Sequence, residues 1–149
     1  MSIKQALDQT SSYRMGMADM LCSRKFYALR QKILGQHDLT VMAWLVLGAI
    51  FDAHQAGGIR ITELASQFNV KSTYITAIVN DLKRKNLVNA YVDKEDGRAR
   101  LVVVTKKGVE RVPVIDRQLQ RATEEWFTAT ISEKDLIVFL QTLQKLATS

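Results

Sequence analysis

The sequence predicts a mainly α-helical chain with a small β-hairpin wing: a winged helix-turn-helix flanked by long N- and C-terminal helices. Three observations predict it. One proline and seven glycines in 149 residues favour long helices over a loop-rich or all-β fold. Two short helical segments meet at a tight turn in the middle of the chain, and a hairpin pattern follows them directly. Long apolar-spaced segments then lie on both sides of that middle.

Composition narrows the class further. The chain is 47% hydrophobic and 24% charged, ordinary for one folded domain. The longest apolar run, Leu39 to Phe51, falls short of the roughly eighteen residues that a membrane span requires. Lys4 and Asp8 stand near the N-terminus without an apolar stretch of the secretory kind. The single cysteine, Cys22, excludes an internal disulfide framework and a cysteine-rich zinc site. A cytoplasmic protein without membrane, metal or cofactor is expected.

Along the chain, Ile3, Leu7, Met17, Leu21, Phe26, Leu29 and Ile33 mark one or two helices that end at Gly35. Asp38 or Thr40 caps the next helix, which runs through Trp44, Leu47 and Phe51 and stops at Gly57-Gly58. That helix is apolar almost all round, so it should be the most buried element. A short helix starts behind Thr62, with Glu63 in its first turn and Leu64, Ala65 and Phe68 facing inward. Asn69 suits a tight turn, because asparagine tolerates unusual backbone angles. A second helix follows from about Ser72 to Lys85, and Asn86 suits its left-handed C-cap.

The hairpin comprises Leu87 to Val92, a turn over Asp93 to Gly97, and Arg98 to Thr105 with three consecutive valines. Thr105 caps a long helix to about Ala129, kinked at Pro113. Ser132 and Asp135 resemble a capping box for a last helix that carries Leu136, Phe139, Leu140, Leu143 and Leu146 on one side.

Charge is unevenly spread. Residues 59–108 hold ten basic and five acidic side chains, so nearly all of the +6 net charge lies there. Such a basic middle suits a polyanion or, equally, a solvated lysine-rich face. At 100° per residue, Ile75, Ile78, Val79 and Leu82 form one stripe of the second helix. Thr73, Ala77, Asn80 and Arg84 fall opposite, with Thr76 and Lys83 on one shoulder and Tyr74 and Asp81 on the other. Small hydroxyls, a methyl and an amide let a helix lie close in a major groove, and Arg84 with Lys83 and Lys85 would meet phosphates at its far end. Around the hairpin tip, Lys94, Arg98 and Arg100 are interleaved with Asp93, Glu95 and Asp96. A thin basic ribbon can place an arginine in a minor groove, and an aspartate two positions away can orient its guanidinium.

With these residues in place, the sequence resembles the MarR family of bacterial and archaeal transcription regulators. The resemblance is carried by Ile61-Thr62-Glu63-Leu64-Ala65, Ser72 through Thr76, Ile78-Val79, Leu82 and Leu87-Val88. It continues in the wing with Asp93, Asp96-Gly97-Arg98-Ala99, Val102, Thr105 and Gly108. Leu39-Thr40 followed by Trp44 looks like the start of the family's second helix. Departures are Asn86 in place of a common glycine, Gly97 in place of a larger residue, and Pro113 after the wing.

The resemblance implies that Arg98 enters the minor groove with Asp96 orienting it. Ser72, Thr73, Tyr74, Thr76 and Asn80 then fall at recognition-helix positions. It also implies a homodimer built from the first and last helices (residues 1–36 and 109–149) around a DNA-binding region at 37–108. The partner is double-stranded DNA with an inverted-repeat operator, and repression is the expected outcome. A small aromatic or phenolic effector would bind near Arg14 or Trp44.

Other classes are weighed against this. His37 and His54 are far apart in sequence and no catalytic motif accompanies them, so enzyme chemistry is not expected. A winged helix can instead be a protein–protein interaction module, but the basic middle favours DNA. Cys22 invites a redox-sensing reading, while its neighbours favour a buried, inert thiol.

Overall fold

The computed structural model describes residues 1–94, 96–97 and 99–148. The expected order of elements is present: α1 (Ile3–Gln9), α2 (Ser12–Gly35), α3 (Val41–Asp52), β1 (Ile59–Arg60), α4 (Ile61–Gln67), α5 (Ser72–Arg84), β2 (Val88–Val92), β3 (Arg100–Val104), α6 (Lys106–Thr128) and α7 (Glu133–Thr148). Two compact units result, one of Ile33–Arg121 and one of Met1–Lys32 with Ala122–Ser149. Helices α2 and α6 each contribute to both.

The Ile33–Arg121 unit holds the main core. Helix α3 buries Val46, Leu47 and Ile50 completely, as its all-round apolar sequence requires. Thr40 is its cap, the hydroxyl accepting from the Ala43 amide at 3.1 Å. Asp38 has a different job: with φ of +57° it turns the chain after α2, whose Leu34 carbonyl then accepts from the Leu39 amide. Asn69 and Asn86 take left-handed angles after α4 and α5, as the sequence predicts.

The first helix of the helix-turn-helix begins earlier than its threonine suggested. Arg60, not Thr62, precedes the first turn, and the Glu63 carboxylate reaches back to accept from the Arg60 amide at 2.9 Å. A strand that the sequence did not announce comes just before it. The two residues of β1 pair with β3, giving an antiparallel sheet in the order β1-β3-β2 with Ile59 opposite Val102. Two residues carry no period, so only the tertiary pairing reveals them. Gly58 makes that pairing possible: its φ is +114°, and a Cβ there would lie 2.6 Å from the Val102 carbonyl oxygen. Across the hairpin, Val88 faces Val104 and Val92 faces Arg100. Gly108 lets the start of α6 lie directly on the Leu87 backbone.

In the other unit, Phe26 stacks on Trp126 at 5.8 Å between ring centroids, and Phe127 packs between Trp126 and Phe139. The Arg30 guanidinium lies 3.9 Å above the Phe26 ring, and its burial lowers its pKa. Here one expectation fails. Cys22 is exposed, not buried. Helix α2 spreads its apolar residues around the cylinder and buries only Leu34 among the described residues, so position 22 has no core to enter. Among the described residues no helix is long and apolar enough to cross a membrane.

Candidate nucleic-acid interface

Helix α5 sorts its faces as its spacing predicts. Ile75, Val79 and Leu82 are buried, while Thr73, Ala77, Asn80 and Arg84 are exposed on the opposite side. Ser72 opens the helix and is exposed, and Tyr74 presents about half its surface. Thr76 is half-buried, and its hydroxyl donates to the Ser72 carbonyl at 2.8 Å. Small side chains between an amide and a tyrosine leave a low surface that a duplex groove can approach closely.

The far end of α5 is tied down more than the sequence suggested. Asp81 accepts from Arg84 Nη2 at 2.9 Å and from Lys85 Nζ at 2.6 Å. Lys85 also donates to the backbone carbonyl of Asp38, so its ammonium is fixed against the turn after α2 instead of standing free for a phosphate. Arg84 remains highly exposed, and such a surface pair exchanges readily with a stronger anion.

In the wing, Lys94, Asp96 and Arg100 are exposed. Arg98, the residue assigned to the minor groove, lies outside the described residues, as does Glu95. Asp93 corrects the expected picture. Instead of sharing the exposed tip, it is 9% exposed at the end of β2. Both Nε and Nη2 of Arg60 converge on its Oδ2, each at 2.7 Å. The Asp93 hydrogen bond and charge raise the Arg60 pKa, and the charges of Glu63 and Asp96 act more weakly in the same direction. Thirty-three residues separate the partners, so no local pattern could have joined them.

The two residues assigned to an effector fall in different units. Trp44 lines a groove of about 520 Å³ between α3 and α6, with Phe51, Val112 and Pro113 as further apolar walls and Asp52 and Asp116 as polar ones. Arg14 belongs to the Met1–Lys32 segment, where its Nε donates to the Tyr13 hydroxyl at 3.3 Å. His37 has a structural place: it ties the turn after α2 to α6 through Arg111 and Gln118. Among the described residues no three metal-binding side chains cluster.

Comparison with known proteins agrees with this fold. The profile of the MarR family matches residues 46–99, the stretch from α3 to the wing. The transcriptional activatory protein BadR of Rhodopseudomonas palustris is 28% identical over 109 residues, 69% of this chain and 62% of BadR. The chain thus matches less than two thirds of that relative's length. A MarR-family transcriptional regulator from Rhodococcus sp. RHA1 superposes with a TM-score of 0.80 at 21% identity, over 93% of this chain and 96% of that one. MepR of Staphylococcus aureus, in a structure of its DNA complex, gives 0.73 at 21% identity, over 89% and 96%. At such identities the superpositions establish the fold, a winged helix with its flanking helices. Residues 46–99 thus match the MarR family, and the fold and element order of the whole chain are those of the MarR-family structures it superposes on.

Proposed function

We propose that this protein is a sequence-specific DNA-binding transcriptional regulator, acting as a homodimer on an inverted repeat. The single observation that carries the reading is the outward face of α5. It is low, polar and exposed, and it stands beside a basic wing within the most positive stretch of the chain. That combination supplies base-edge partners from one element and phosphate or minor-groove contacts from the other. MepR, a protein of the same fold, is seen in complex with DNA, which supports the reading.

Surface chemistry supports the dimer. Phe139, Leu140, Leu143 and Leu146 of α7 are exposed by 40 to 70%, and Ile3 and Leu7 of α1 by more than half. An apolar surface of this extent is unfavourable in water, and a second copy of the same helices is the occupant we assign to it. Two copies related by a two-fold axis would present two α5 helices to successive major grooves, ~34 Å apart. By occupying a promoter such a dimer would repress. The groove at Trp44 is where we place a small aromatic effector, which would act only if it binds one spacing of the lobes better than another.

The test is selection from a random duplex pool, followed by titration of the winning sequence at several salt concentrations. Recovery of an inverted repeat, with binding that falls steeply as salt rises, supports the reading. A chain that selects no duplex, or that binds independently of salt, is the protein-interaction module instead.

A further inference from the structure

We propose that Arg60 and Asp93 are a positioning pair for DNA binding: an ion pair set behind the reading surface that holds the wing in place relative to the helix-turn-helix. This role rests on the DNA-binding function proposed above.

The pair joins two junctions. Arg60 is the last residue of β1, where it lies opposite Leu101, and it is also the residue that precedes α4. Its backbone is therefore fixed twice, by the sheet and by the Glu63 carboxylate on its amide. Asp93 stands where the hairpin leaves the ladder, one residue after the last paired position, Val92 opposite Arg100. Its amide donates to the Ala99 carbonyl at 2.9 Å, and the Ala99 amide donates to the Asp96 carbonyl at 2.9 Å. The turn that carries the basic wing residues thus hangs from Asp93.

The side-chain geometry fits positioning better than direct contact. Asp93 is the buried charged residue of the described core, so its carboxylate faces protein and not solvent. Two guanidinium nitrogens on one oxygen fix the carboxylate's orientation, a constraint that a single ammonium cannot reproduce. Arg60 stands between two acids, Asp93 and Glu63, so much of its charge is answered within the protein. A buried carboxylate deprived of such a partner has less to offset its desolvation, which favours a displacement of the chain that carries it. Asp93 adjoins the wing, so the displacement would fall there.

Charge alone and positioning predict opposite signs. Asp93→Asn removes a negative charge near a polyanion, and Arg60→Lys leaves the charge unchanged. On a charge argument the first variant binds DNA more tightly and the second binds equally. With a positioning pair, both bind more weakly, on the order of tenfold, because a well-oriented groove contact of about that worth is misplaced.

The experiment titrates the duplex selected by the wild-type chain with Asp93→Asn and Arg60→Lys, each in the wild-type and the Arg98→Ala background. The expected result is a tenfold loss in the first background and less than about a twofold further loss in the second, since a wing without its arginine has nothing left to position. Amide exchange in the DNA-free variants gives a second readout: Ala99 should exchange faster while Val79 and Leu82 keep their protection. Tighter or unchanged binding by Asp93→Asn overturns the pair's role. So does an equal loss in both backgrounds, or loss of protection throughout α5, which would mark a general fold defect. If the wild-type chain selects no duplex at all, the DNA-binding function falls and this role with it; if it does and only Asp93→Asn is silent, the positioning role alone falls.

Discussion

Arg111 Nη2 lies 3.1 Å from Nδ1 of His37, while Nε2 of the same ring lies 2.7 Å from the Gln118 side-chain oxygen. An arginine can only donate, so Nδ1 must accept and Nε2 must carry the proton. The imidazole is therefore held as one tautomer, and it fastens the turn after α2 to α6 at two points about two turns apart. The first prediction follows: a nitrogen-detected spectrum of His37 shows the Nε2–H tautomer, and His37→Ala lowers stability by about 1–2 kcal/mol in denaturant titration. Observation of the Nδ1–H form would contradict this arrangement.

Gly58 gives a sharper stability test. An alanine there must adopt φ of +114° and meet the Val102 carbonyl, so Gly58→Ala should cost at least ~1–3 kcal/mol. Gly57, at φ of +89° with open space around its Cβ position, should tolerate alanine better. Comparing the two denaturation midpoints separates steric contact from backbone angle. Equal losses would show that the angle alone matters.

In the wing, Arg98→Ala should weaken binding of the selected duplex by ~1–3 kcal/mol. Asp96→Ala should weaken it as well, although it removes a negative charge from the same surface, because an oriented guanidinium contributes more than a free one. Anisotropy titrations on one duplex decide the sign. Tighter binding by Asp96→Ala would remove the orienting role.

A charge placed in the α7 stripe tests the dimer. Leu143→Glu should shift the protein from dimer to monomer in light-scattering measurements and weaken operator binding with it, since each half-site alone holds only one reading helix. A variant that stays dimeric would move the interface elsewhere on the flanking helices.

What the sequence made legible was local. The period of Ile75, Val79 and Leu82 located both faces of α5, and Asn69 and Asn86 located the turns that end α4 and α5. Long-range partners were not legible. Asp93 among Lys94, Glu95 and Asp96 has the pattern of a solvated tip, and only the fold brings Arg60 to it. Lys85 looked like a phosphate contact until Asp38 and Asp81 were found on it. Strand β1 was too short to show a period, and Cys22 lay on a helix whose apolar residues mark no single face. Nearest-neighbour chemistry writes itself into spacing; pairs formed by chain closure do not.

If α5 enters a major groove as proposed, the hydrogen bond from Thr76 to the Ser72 carbonyl would limit which letters of a duplex that side chain can read. A hydroxyl has one proton, and here the helix backbone holds it. Toward a base it offers lone pairs and a methyl group. The lone pairs match the amino groups of adenine or cytosine, and the methyl matches that of thymine, whereas the N7 and O6 edge of guanine asks for a donor that Thr76 no longer has. At the base step facing Thr76, the operator should therefore not present guanine to this side chain.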